Sequence, residues 1–329
     1  MEDQDEAVCM VRDSAAGVLA GDLPRNRALR FTEPGHDPAR LRDFAGLGWP
    51  LLRLPEAQGG LGLGVPALVA LAVELGRVLS PEPVVGLALV ASLWPDAGVL
   101  DGSRIVLPAF APFGGALLSY DGGRISGTAS VLLGGAAEGW LVQTAGGAAL
   151  VRAGAPGLTV TQDATHDGGH LAHLVFDATP AEAVPGDIEA LRDEAALAHA
   201  GYQLGLAEQA FEITLAYLKD RRQFDRPIGS FQVLQHRLVD LFMELQLARA
   251  ALEQAAGAGQ PTQTSVALVQ VGQAADLVTR TAIQLHGGIG YSDEADIGLY
   301  LRKAMVLKGL FGSARFHRLR ALDIGEAAA

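Results

Sequence analysis

The chain has 329 residues, 49% of them apolar, and 37 acidic against 25 basic side chains give it a formal charge of −12. That length and apolar content suffice for two or three packed units and argue against disorder. No lysine- or arginine-rich block is present to neutralise a phosphate backbone or an anionic lipid surface, so nucleic acid and membrane are poor partners.

The N-terminus, MEDQDEAVCM, is acidic where a secretion signal is basic and then apolar. No uninterrupted apolar run reaches the roughly 18 residues that span a bilayer. Cys9 is the only cysteine, which excludes an intrachain disulfide and a thiolate metal site. A soluble, cytoplasmic protein without a metal centre is expected.

Residues 1–100 read as an N-terminal helical domain. In GVPALVALAVELGRVL (64–79), Leu68, Leu71, Leu75 and Leu79 recur at helical spacing, with Pro66 near the start and Ser80-Pro81 as the stop. Over residues 101–186 glycines multiply and charges thin out. Short apolar runs (LLSY, RISG, SVLL, WLVQTA, AALVRA, LTVT) alternate with glycine-rich breaks, and Asp121-Gly122 is a hairpin signal, so a small middle β-domain is predicted. From 187 to 329 helical periodicity returns. Leu204, Ala207, Phe211, Leu215 and Leu218 mark one helix, and Leu234, Leu238, Leu241, Leu245, Ala248 and Leu252 a second. A third covers about 264–286 and stops at Gly287-Gly288; a fourth covers about 294–323. The predicted class is α+β, closing in a four-helix bundle.

Three stretches rise above this patterning: GWPLLRLPEAQGGLGLGVPALVALAVELGR (48–77), YLKDRRQFDRPIGSFQVLQHRLVDL (217–241) and AIQLHGGIGYSDEADIGLYLRKA (282–304). With the helix–strand–helix order, they resemble the acyl-CoA dehydrogenase family along nearly the whole chain. The resemblance implies FAD as cofactor, an acyl-CoA substrate, electron-transfer flavoprotein as acceptor and an obligate oligomer.

On that resemblance Arg221 offers a guanidinium fork to the FAD pyrophosphate. Gln232 and Gln284 supply amides, and Gly287 and Gly288 free the backbone for close approach. In the family these groups reach a flavin held mainly by a neighbouring subunit. Read singly, the same residues are ordinary: Arg221 a solvated helix end, His286-Gly287-Gly288 a helix cap, Phe224 core packing, His236 part of a polar helix face. The resemblance leaves Phe224 and His236 open. Asp225 stands where the family usually has glycine, a change that bears on the local turn and adds a negative charge.

Two family features are missing. The segment that helps hold the flavin ring reads RIVLPAFAPFGG (104–115), without its hydroxyls and acids, and in Arg124-Ile125-Ser126-Gly127 only Ser126 remains to meet the flavin edge. The second absence is the general base that removes the α-proton, a group worth about 10²–10⁴ in rate. Nine residues beyond Arg302 the family places glutamate before Gly-Thr, and here that position is Phe311, before Gly312-Ser313. The alternative base position, ten residues before Gly205, is Ala195, with Glu194 beside it. A one-residue step turns a helical side chain by about 100°, and Asp193 and Glu194 also read as ordinary acidic residues in a helix's first turn.

The chain thus resembles the shortened, base-less subunit of heterotetrameric (α2β2) actinobacterial dehydrogenases acting on steroid side-chain CoA thioesters. A second, full-length subunit would be its partner. A self-sufficient dehydrogenase using Glu194, a flavin oxygenase and a non-enzymatic module on the same fold stay open on sequence.

Overall fold

The computed structural model describes residues 2–111, 113 and 115–327. Helices open the chain: α1 (Glu2–Leu19), α2 (Leu23–Ala28), α3 (Pro38–Gly46), α4 (Gly64–Arg77), α5 (Val84–Leu93) and α6 (Ala97–Leu100). Strands follow: β1 (Val106–Ala109), β2 (Ser119–Asp121), β3 (Arg124–Leu132), β4 (Gly139–Thr144), β5 (Gly147–Arg152), β6 (Leu158–Ala164), β7 (His170–Pro180) and β8 (Glu182–Val184). The remainder comprises α7 (Ile188–Asp220), a short ladder of β9 (Arg222–Gln223) and β10 (Arg226–Pro227), then α8 (Gln232–Ala258), α9 (Pro261–His286), α10 (Ile297–Leu307) and α11 (Ala314–Ala327). The α+β order expected from the sequence is present. Among the described residues, no helix is long and apolar enough to cross a membrane.

The polypeptide forms two compact units. One gathers Met1–Cys9, Leu23–Leu68 and Pro81–Ala195; the other gathers Met10–Asp22, Val69–Ser80 and Ala196–Ala329. Three of the five boundaries fall inside α1, α4 and α7, and the other two lie between helices.

In the first unit two four-stranded sheets, ordered β1-β4-β5-β8 and β2-β3-β7-β6, share a core that includes Leu107, Ile125, Trp140, Val142, Leu174 and Phe176. Strand β4 is buried along its whole length, which is why WLVQTA reads as continuous rather than alternating. The runs RISG and SVLL are one strand, β3, and not two. Its register with β7 slips between Ile125 and Gly127, where Gly127 takes φ +133°, so a bulge interrupts the pattern without ending the strand. The expected hairpin is present, one residue on from Asp121-Gly122: Asp121 ends β2 and pairs with Arg124, and Gly122 and Gly123 join β2 to β3 with φ +54° and +77°, the signs a two-residue type I′ turn needs.

In the second unit the leucine stripes face inward as their spacing predicts; Leu238, Leu241, Leu245, Ala248 and Leu252 of α8 are buried. The tightest packing is a reciprocal glycine contact between α4 and α7. A Cβ on Gly205 would overlap the carbonyl of Val73, and one on Gly76 the carbonyl of Tyr202. Next to Gly76, the Arg77 guanidinium meets Glu212 at 2.5 Å and Glu208 at 3.4 Å. Arg249 donates to both oxygens of Glu208 at 2.7 Å, and the Tyr300 hydroxyl donates to the Arg77 carbonyl at 2.9 Å. The run expected as one helix over about 294–323 is divided into α10 and α11, because Gly309 and Gly312 take φ +85° and +96°.

The glycine contact is open to test. Gly205→Ala should lower unfolding free energy in urea by about 2–3 kcal/mol through overpacking. Gly257→Ala, on α8 with nothing within 4 Å of an added Cβ, should be neutral or stabilise by up to about 1 kcal/mol. Equal, small effects at both sites would exclude close helix approach as the reason for Gly205.

Candidate functional site

Of the six residues expected to meet a cofactor, Arg221, Gln232, Gln284, Gly287 and Gly288 lie in the second unit, all at helix ends. Arg221 follows α7, Gln232 opens α8, Gln284 sits in the last turn of α9, and Gly287 caps α9 and begins the 3-10 turn Gly287–Tyr291. Tyr217 joins two of these ends. Its ring stacks on His286 at 4.4 Å and 18°, its hydroxyl donates to the His286 carbonyl at 3.3 Å, and its own carbonyl accepts the Arg221 N–H. Below lies an apolar plug of Leu218, Leu238 and Leu285, packed by Ile228 and Leu234. That plug draws the end of α7, the start of α8 and the end of α9 together.

All five positions are exposed. Arg221 makes no ion pair among the described residues, and Arg222 and Arg226 add exposed positive charge beside it. Nothing lies within 4 Å of a Cβ built on Gly287 or Gly288, so the turn presents bare backbone. Gly287 holds φ +66°, ψ −142°, a conformation essentially reserved for glycine. An unpaired guanidinium beside an open glycine turn and two exposed amides fits a phosphate-bearing cofactor approaching from outside this unit's surface.

Between Arg221 and Gln232, Phe224 and Asp225 form the two-residue loop of the β9–β10 ladder, with φ +54° and +61°. Asp225 therefore keeps the left-handed turn that a glycine would provide, because aspartate tolerates this region. Phe224 is 85% exposed and stands edge-on to Phe231 at 6.2 Å. Reading it as core packing was incorrect: the ladder carries the ring outward, away from the apolar plug. His236 is exposed on α8.

Ser126 belongs to the first unit, at the bulge in β3. Its Oγ accepts the Ala178 N–H at 3.0 Å, so the hydroxyl already serves the strand pairing that the bulge disturbs. In the segment 104–115, Pro112 and Gly114 lie outside the described residues. Its first part forms β1, and the Ala111 N–H donates to Oε1 of the buried Gln143 at 3.2 Å.

Neither base position offers a free carboxylate. Helix α7 begins at Ile188 with Asp187 accepting from the Glu189 and Ala190 N–H groups, so Glu194 lies in the second turn and is not a first-turn residue facing the helix end. The Arg53 guanidinium grips it with two bonds, at 2.9 and 2.6 Å. Ala195 is 5% exposed. Phe311 packs against His199, ring centroids 5.0 Å apart and tilted by 48°. Burial holds the His199 pKa down, to about 4, so its imidazole is neutral at physiological pH. Sequence reasoning missed His199; its one signal was a place on α7 four residues beyond Ala195, on the same helix face.

A model of the acyl-CoA dehydrogenase C-terminal domain matches residues 143–323. Acyl-CoA dehydrogenase IpdE2 of Mycobacterium tuberculosis is 33% identical over 308 residues, covering 90% of each chain. IpdE2 of Mycolicibacterium smegmatis is 31% identical over 311 residues, covering 90% of this chain and 91% of its own. Among solved structures, a variant of the Tcur3481–Tcur3483 steroid ACAD is 33% identical with a TM-score of 0.89, covering 99% of each chain. A chain of the ChsE4–ChsE5 complex from Mycobacterium tuberculosis is 27% identical with a TM-score of 0.88, covering 98% of each.

The buried imidazole makes stability depend on pH. With an ordinary value of 6.5 and a folded value of about 4, the unfolded chain binds the extra proton between these limits. Its contribution to stability is therefore complete above pH 6.5 and is lost on acidification toward pH 4. Urea unfolding of the parent and of His199→Gln across that range should show the steeper acid loss in the parent. Parallel curves would exclude a neutral imidazole at this position.

Proposed function

Because this chain belongs to the acyl-CoA dehydrogenase family, we propose that it is the base-less subunit of a heteromeric FAD-dependent dehydrogenase, contributing cofactor contacts across an interface while a full-length partner supplies the base. The family's enzymes are oxidoreductases that act on the CH–CH bond of acyl-CoA thioesters and bind FAD. The observation that carries the proposal is the state of the two base positions: Phe311 covers His199 at one, and Arg53 holds Glu194 near the other. Both oxygens of the Glu194 carboxylate are engaged by one guanidinium, so neither is free to be aimed at a substrate carbon.

The chemistry that the flavin supplies when bound is acceptance of a hydride from the β-carbon. This chain's part is to bind and orient. Arg221 would neutralise pyrophosphate charge, the Gln232 amide would reach the adenosine portion, and Gly287 and Gly288, with Gln284 at the helix end before them, would let the protein backbone come close to phosphate. A partner surface also has somewhere to sit. Helix α8 exposes Val233, Val239, Phe242, Met243 and Leu247 by 50–64%, more large apolar surface than a helix facing only water usually keeps. One similar solved structure is the Tcur3481–Tcur3483 steroid ACAD and another the ChsE4–ChsE5 complex, which supports a two-component assembly; in this proposal it is α2β2 and acts on a steroid side-chain CoA thioester. Electron-transfer flavoprotein is the acceptor in this proposal.

Co-expression with a full-length dehydrogenase subunit tests it. The chain alone should be colourless and the complex yellow. In the complex Arg221→Ala should weaken FAD retention by about tenfold or more, the range of one lost charge-assisted contact, with assembly intact. Glu194→Gln should leave turnover within about twofold; a loss of 10² or more, the scale of a missing general base, would end the partner-subunit reading.

A further inference from the structure

The turn between α10 and α11 holds contacts that the proposed function does not use. At its start His199 Nε2 lies 3.1 Å from the Leu307 carbonyl. At its far side His317 Nε2 donates to the Phe311 carbonyl, and His317 Nδ1 lies 3.2 Å from Ser265 Oγ on α9. A carbonyl oxygen has no proton to give, so both Nε2 atoms carry the hydrogen. Gln203 Nε2 lies 2.6 Å from His199 Nε2; two donors do not face each other at that distance, so with the His199 Nε2–H given to Leu307 the amide is turned over to present its oxygen, and the Ser265 hydroxyl donates to His317 Nδ1. Both histidines thus have a fixed tautomer and orientation.

Between these anchors the turn has little freedom. Phe311 packs on the His199 ring. Gly312, at φ +96°, runs so close to His317 that an added Cβ would stand 2.9 Å from Nε2 and 3.3 Å from the Phe316 ring. His317 itself is 1% exposed, so no water replaces its bond to the Phe311 carbonyl without opening the α9–α11 packing. A glycine-rich turn of six residues would otherwise be among the more mobile parts of a helical unit.

We propose that His199 and His317 are positioning residues that pin the 308–313 turn by two carbonyls, that of Leu307 just before it and that of Phe311 within it, with the Phe311 ring as the latch on His199. The segment in which the family presents its base is then a closed structural turn in this chain, and replacing Phe311 alone does not release it. This deepens the base-less reading, since it rests on Phe311 occupying the base position.

Hydrogen exchange read by mass spectrometry on the intact chain, alone or in its complex, tests the pinning. His199→Leu and His317→Leu should each speed exchange of the 308–313 amides by about tenfold, while glutamine at either position, which restores an N–H donor, should hold them within about threefold. Exchange unchanged in both leucine variants, or equal in leucine and glutamine variants, overturns the proposal. Should the leucine variants fail to fold, Phe311→Glu gives a second reading by imidazole NMR. A carboxylate held against the ring should raise the His199 titration midpoint by about one pH unit or more, and an unmoved midpoint overturns the latch. Neither measurement involves flavin or turnover, so the turn and the subunit role can fail separately.

Discussion

Two glycines, Gly76 and Gly205, let α4 and α7 cross with backbone against backbone, and much of the second unit is arranged around that crossing. Because nothing projects from either helix at the contact, Arg77 emerges one residue later directly over Glu208 and Glu212. Arg249 of α8 closes on Glu208 from another side, and the Tyr300 hydroxyl caps the Arg77 carbonyl. Burial pushes the carboxyl of Glu74, one turn back on α4, up from its ordinary value. Ion pairs of this kind gain little over apolar packing, but losing one member strands the others, so the network fixes which residues face each other.

Helix α7 carries several of the positions described above. It runs for 33 residues, about 50 Å at 1.5 Å per residue. Along it lie the carboxylate held by Arg53, the imidazole under Phe311, the glycine of the crossing, and at its end the tyrosine that stacks on His286 ahead of the open glycine turn. A long rigid element carries several constraints at once with little tolerance for local change. The exposed positions proposed to meet a cofactor in this unit lie, accordingly, at its C-terminal end and in the helix ends and short turns next to it.

What the sequence revealed follows from the range of the interactions. Leucine stripes, the helix stop at Gly287 and, to within one residue, the hairpin signalled by Asp121-Gly122 depend on residues within a turn or two of each other, and they were legible. The β3 bulge misled because Gly127 broke the pattern as a strand end would. The state of Glu194 was hidden because its partner, Arg53, lies 141 positions away; His199 meets the Leu307 carbonyl across 108 positions. Such pairings are set by tertiary packing, and no local spacing announces them. The end proposed to meet the cofactor was legible only as a motif; that an apolar plug of Leu218, Leu238 and Leu285 gathers its pieces needed the fold.

The β9–β10 loop has a thermodynamic side. A phenylalanine in the left-handed region costs on the order of 1 kcal/mol or more in backbone energy, and an 85% exposed ring recovers almost none of it by burial. The isolated chain therefore folds with an aromatic tip already set in an unfavourable pose. A partner that covered that tip would meet a ring whose backbone is ordered in advance, so little conformational entropy would be lost on association. The short ladder would then move an ordering cost from binding to folding.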